Sequence, residues 1–116
     1  MDNKDCVFCK IIKGEIDAKN KIEEENFIVF DDANQVSDGH CLVVPKKHYK
    51  TILDMPSTLG SEMIDIAKKQ GLRLIDEGKA DGFKLVNNNF EAAGQVVPHF
   101  HLHVIPHKKG SKVGHV

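Results

Sequence analysis

Near its end the chain carries His99-Phe100-His101-Leu102-His103-Val104, three of its seven histidines at every second position. In a strand, side chains alternate between faces, so the three imidazoles share one face and Phe100, Leu102 and Val104 share the other. An apolar face is what a core requires; a row of imidazoles is not explained by packing. Neutral imidazole is a nucleophile and a proton carrier near pH 7, and it is also a metal ligand. One ion cannot use the whole row. Residues i and i+2 lie about 6.6 Å apart along a strand and i and i+4 about 13 Å, whereas Zn–N bonds are about 2.0–2.1 Å. The row therefore divides between tasks, or only part of it binds metal.

Other residue types point to an anionic substrate. Gly94, just before the row, lets backbone N–H groups come close to an anion. Gln95 and Asn88 carry amides that can hydrogen-bond phosphate or carbonyl oxygens. This set suits attack on a phosphoryl group by histidine. At the other end of the chain, Cys6-Val7-Phe8-Cys9 suggests metal or redox chemistry in a reducing compartment, before a structural disulfide. Cys41 reads as a small buried apolar residue.

The elements that position these residues follow from pattern. With 116 residues, 41% of them apolar and 28% charged, the chain fits one soluble domain spanning 1–116. A net charge of −1 gives no global attraction to nucleic acid. No apolar run approaches the ~20 residues of a membrane span, and MDNKDCVFCK has no signal-peptide core. The expectation is a cytoplasmic protein with neither nucleic acid nor membrane as partner. Residues 6–13 predict a short helix that Gly14 ends. Strands are expected over 27–30, 40–45 and 96–105, and the run 83–89 reads as a strand that passes into a polar turn. A long helix is expected from Ser57 to Glu77, capped by Ser57 or Thr58, with Met63, Ile64, Ala67, Gly71, Leu74 and Ile75 as its buried stripe. Gly71 in that stripe implies close packing. Hairpin-like spacings predict an α+β fold, an antiparallel sheet with helices on one side. The segment 106–116, basic and glycine-containing, predicts a mobile tail.

The segment GQVVPHFHLHVIP resembles the signature of the histidine triad (HIT) family, alternating histidine and apolar residues after Gly-Gln. CVFCKIIKGEI, DGHCLVVPKKHY and VNNN resemble the family's N-terminal, central and pre-loop segments, most closely those of its bacterial Hint-like branch. The resemblance covers nearly the whole chain in the same order. It implies the HIT-like α+β fold, with about five antiparallel strands, one long helix and one short one. It also implies a homodimer in which two sheets join through the long helix and a strand. His101 would be the nucleophile, attacking the α-phosphate of a purine nucleotide substrate to form a nucleotidyl-histidine that water hydrolyses. His103 would stabilise the phosphate or leaving group, and His40 would support them from a neighbouring strand. Asn88, Gly94, Gln95 and Val96 would surround the phosphate and leaving group, Asp32 would hold the ribose, and Phe8 and Ile11 would line the base pocket or simply pack in the core. In zinc-containing relatives two N-terminal cysteines join two histidines; here these are Cys6, Cys9, His48 and His99. Such a closed Cys₂His₂ set suits structural zinc, which would fix His99 and so the start of the catalytic strand, while the chemistry itself needs no metal.

Several positions depart from the family. Gln35 and Asp38 replace prolines in the loop before His40, Ala33 stands where relatives often carry isoleucine, Val96 where some have serine, and His107 where bacterial relatives often show arginine. These bear on specificity more than on reaction type. A nucleoside phosphoramidase or nucleotidyl hydrolase is the leading reading. The alternatives are a dinucleoside polyphosphate hydrolase of Fhit type, a nucleotide-binding interaction module with weak turnover, and a zinc scaffold without catalysis.

Overall fold

Four consecutive apolar residues, Phe27, Ile28, Val29 and Phe30, are all buried. A strand with one wet face would alternate, so this run must be covered on both sides. The computed structural model of the chain, which describes residues 4–112, shows how. A short helix α1 (Val7–Ile12) is followed by strands β1 (Ile22–Glu23), β2 (Phe27–Asp31) and β3 (Cys41–Pro45). A 3-10 turn at Ser57–Leu59 then leads into helix α2 (Gly60–Asp76), and strands β4 (Gly82–Val86) and β5 (Leu102–His107) complete the fold. All neighbouring strands pair antiparallel, in the order β1-β2-β3-β5-β4.

Phe27 and Val29 join Val43, Phe100, Leu102 and Val104 in one core with Ile66, Ala67 and Leu74 of α2. Ile28 and Phe30 point the other way and pack with Leu42, Val44, Phe8 and Ile11 of α1. The helices therefore cover opposite faces of the sheet, not one side as the strand spacings suggested. Helix α1 is too short to be stable alone; it holds because Phe8 and Ile11 are buried, each contributing about 1.5–3 kcal/mol.

The inward side of α2 is Ile66, Ala67, Gln70, Gly71 and Leu74. Ile64 and Ile75, expected in the stripe, are 57% and 45% exposed. Neither Ser57 nor Thr58 caps the helix; a 3-10 turn after Pro56 leads into it instead. A Cβ on Gly71 would lie 2.5 Å from Phe83 Cζ, so the missing side chain is what lets β4 approach α2. Gly78, at φ +75, ends the helix, with Lys79 N–H bonded to Leu74 O at 2.9 Å.

The strand expected to pass into a polar turn within 83–89 spans Gly82–Val86. The two-residue β1 is too short for any periodicity to reveal. The start of the expected tail is ordered by pairing: Pro106 and His107 belong to β5, and Lys109 N–H donates to Asp81 Oδ2 at 2.7 Å. Residues 113–116 of that tail lie outside the described residues. Among the described residues no helix is long and apolar enough to cross a membrane.

Candidate active site

Strand β5 begins only at Leu102, so His99 and His101 stand in an irregular lead-in rather than in the strand expected over 96–105. Pro98 has no N–H to give a ladder. The next N–H groups find other partners: His99 N–H bonds Val97 O at 2.8 Å, and Phe100 N–H bonds Tyr49 O at 2.6 Å. Alternation still carries through the lead-in. Phe100 enters the α2 core, whereas Phe8 of α1 meets both His99 and His101 edge-on, at 5.8 and 5.0 Å between ring centres.

The hydrogen bonds fix which nitrogen of each imidazole carries the proton. His101 Nδ1 lies 2.8 Å from the main-chain oxygen of His99. A carbonyl only accepts, so Nδ1 holds the proton and Nε2 keeps its lone pair. His40 Nδ1 accepts from Val36 N–H at 3.1 Å, so the neutral ring carries its proton on Nε2, 2.9 Å from His103 Nδ1. His103 then accepts at Nδ1 and bears its proton on Nε2. The Asp32 carboxylate stands beside this pair, 3.4 Å from His40 Nε2 and 3.7 Å from His103 Nδ1. Burial favours the neutral forms throughout. It lowers the pKa of His40 and of His101, and it lowers His103 to about 4, helped by the neighbouring His101 and His40 and opposed by Asp32.

His101 and His103 border a cleft of about 1040 Å³. Asp32, Asn88, Gly94 and Val96 also line it, and Phe8 and Ile11 add apolar side chains to the lining. Asp17, Asp31 and Asp38 add acidic groups to the wall, with Lys19 as its cation.

On the far side of His99 a second cluster forms. Cys6 Sγ lies 3.3 Å from His99 Nδ1, and Cys9 Sγ lies 3.5 Å from the same nitrogen and 3.2 Å from His48 Nδ1. A tetrahedral ion with Zn–S of about 2.3 Å and Zn–N of about 2.0–2.1 Å has S···N edges of about 3.6 Å, so the four side chains fit one. The tautomer fits as well. His99 Nε2–H donates to Pro45 O at 2.9 Å, which turns the Nδ1 lone pair toward the thiols. Burial holds the His99 pKa at about 4 and pushes the Cys6 thiol up, so a cation would draw the thiolate form out of a neutral nest.

Comparison with known proteins decides the family: the HIT domain matches residues 13–110. The chain belongs to the HIT family. This HIT protein is 38% identical over 114 residues to protein hit of Bacillus subtilis, covering 97% of the chain and 79% of that protein. It is 38% identical over 109 residues to adenosine 5'-monophosphoramidase HNT1 of Saccharomyces cerevisiae, covering 94% of the chain and 66% of the yeast protein. The fold superposes on a Zn-bound histidine triad family protein from Mycobacterium smegmatis with a TM-score of 0.89 at 34% identity, covering 95% and 80% of the two chains.

Within the HIT fold one expected site residue is elsewhere. Gln95 is buried and does not line the cleft; its Nε2 donates to Lys50 O at 2.6 Å and its Oε1 accepts from Phe90 N–H at 2.7 Å. Sequence reasoning also missed the groups that hold the histidines from behind. These are Val36 N–H on His40, the oxygen of Pro45 on His99, and the Asn87 side chain, which donates to His101 O at 3.2 Å. Two of them are main-chain groups and leave no mark in residue type. Asn87 stands in the VNNN run, but nothing there says which amide turns inward.

Proposed function

We propose that this HIT protein hydrolyses purine nucleotide conjugates at the α-phosphate, with a nucleoside phosphoramidate as the preferred substrate type. The observation that carries the reading is His101: its Nδ1 proton is committed to the His99 carbonyl, which leaves Nε2 as an available lone pair at a cleft wall. Nε2 attacks the α-phosphorus, a His101–phosphorus bond forms, and the bond from phosphorus to the leaving nitrogen breaks. The His103 Nε2–H hydrogen-bonds the departing group, and the departing nitrogen takes the proton it needs from a water molecule at the cleft. The hydroxide left by that water attacks the same phosphorus, the His101–phosphorus bond breaks, and the nucleotide is released. Asp32, beside His40 and His103, holds the ribose, while Phe8 and Ile11 receive the base. Asn88, Gly94 and Val96 border the phosphate and leaving group.

The yeast relative's activity on an adenosine monophosphoramidate supports this reaction class. The acidic wall favours an amine leaving group over a polyphosphate, since Asp17, Asp31 and Asp38 would repel further anionic groups. Structural zinc at Cys6, Cys9, His48 and His99 would tie α1 to the lead-in of β5; a Zn-bound relative supports the assignment. A homodimer completes the reading. Strand β4 is at the sheet edge, and Leu72 of α2 and Leu85 of β4 are 60% and 50% exposed beside it.

The test is turnover of adenosine 5'-phosphoramidate and of an adenylyl-lysine conjugate, followed as AMP release, with His101→Ala in parallel. Release by the wild type and none above background by the variant supports the proposal. Nucleotide binding without AMP release would sink it in favour of a binding module.

A further inference from the structure

Gln95 is 6% exposed, and both polar atoms of its side chain are occupied away from the cleft. To touch a phosphate it would have to give up two short hydrogen bonds. What those bonds join is informative. Gln95 N–H also donates to Phe90 O at 3.1 Å, so the residue grips Phe90 at both its N–H and its carbonyl. Phe90 sits at φ +72 with ψ 155, a positive-φ conformation that a non-glycine residue keeps only when its surroundings impose it. This grip closes the turn that ends in Gly94, a wall of the cleft. The other arm of Gln95 reaches Lys50 O. One residue earlier, Tyr49 O takes the N–H of Phe100, between His99 and His101. One residue earlier again is His48, whose Nδ1 is 3.2 Å from Cys9 Sγ.

We propose that Gln95 is a positioning residue, and that with His48, Tyr49 and Lys50 it forms a splint running from the Cys6/Cys9/His48/His99 cluster to the Phe100 N–H beside His101 and to the Gly94 wall. The cluster meets His101 by a second route, because His99 offers its ring nitrogen to the cluster and its carbonyl to His101 Nδ1. The nucleophile is thus held from two sides by groups that converge on one metal set. The proposal rests on zinc occupying that set, but not on the reaction assigned to the cleft.

The test uses the full-length protein without substrate. Zinc affinity is measured by competition with a chromogenic chelator, and amide hydrogen exchange is followed at Phe90 and Phe100, for wild type and Gln95→Met. The splint predicts a zinc affinity about tenfold lower in the variant and faster exchange at both amides. It also predicts that stripping zinc from the wild type speeds exchange at Phe100, a result that stands even if the variant folds poorly. A phosphate contact would leave zinc affinity and both amides of the substrate-free protein unchanged, and that result overturns the proposal. So does a wild type that takes up no zinc. If the protein also turns over adenosine 5'-phosphoramidate, Gln95→Met lowers kcat with little change in KM. Absence of turnover in every form contradicts the assigned reaction while leaving the exchange result to decide the splint.

Discussion

The neutral, proton-ordered state of the histidines is set by their neighbours one at a time. The backbone dictates the His40 tautomer through Val36 N–H, as a main-chain carbonyl dictates that of His101, and His40 then hands a proton donor to His103. His40→Ala removes that donor and leaves His103 free to rotate, so kcat should fall about 10–100-fold, as is usual when an orienting partner of a reactive imidazole is lost; a loss under twofold in steady-state assays would show that His103 is held otherwise. The low pKa of His103 also has a stability consequence. Its folded value of about 4 is below the usual 6.5 of histidine, so the unfolded chain binds this proton more readily. The stabilisation is present above pH 6.5 and is lost as pH falls from there toward 4. Replacing His103 with Asn should flatten the decline in Tm over that window, and an unchanged slope would contradict the assignment. The triad's alternation was readable in the sequence because it is a side-chain pattern. The groups that select each tautomer were not, since a carbonyl or an N–H belongs to every residue.

At the scale of elements, close approach decides the tolerances. Gly71 lets Phe83 lie on α2, and Gly39, at φ +100, turns the chain into His40 where a Cβ would stand 2.6 Å from Leu74 Cδ2. Gly71→Ala gains helix propensity of about 1 kcal/mol but must displace the Phe83 ring, and overpacking of this kind costs about 1–3 kcal/mol. The net expectation is a lower midpoint in urea unfolding; a higher one would mean that Phe83 moves freely. Gly39→Ala combines strain with a clash, so it should lower both stability and kcat by disturbing His40. Strand β3 and both helices were legible from apolar runs and period. The lead-in at 96–101 reads as strand in the sequence because its apolar-polar alternation is real, but its partner is the loop at Tyr49 rather than a strand. Ile64 and Ile75 read as part of the inner stripe of α2 because a helix with two apolar sides offers two choices of inner face, yet both are exposed.

Over the whole molecule, the two faces of the sheet divide the work: α2 builds the larger core on one, and α1 brings Phe8, Cys6 and Cys9 to the histidines on the other. The Cys6/Cys9 pair and the histidines His48 and His99 are far apart in sequence, and family resemblance, not spacing, is what joins them. Prolonged chelation should lower Tm and restored zinc should raise it, because a ligand bound only by the folded state stabilises that state; equal Tm in both conditions would contradict a structural ion. If the proposed homodimer pairs through the β4 edge, Leu85→Lys should convert it to a monomer in sedimentation; a wild type that already sediments as a monomer would contradict that pairing. On the proposed reaction, His101 becomes covalently attached to the substrate's nucleotidyl group. That attachment is tested most directly by acid quench of a single turnover with adenosine 5'-phosphoramidate, followed by peptide mass analysis under conditions that preserve phosphoramidates. An adenylyl group on His101, formed and lost at rates that account for AMP release, is the predicted result; AMP release at full rate with no adduct on His101 would contradict it.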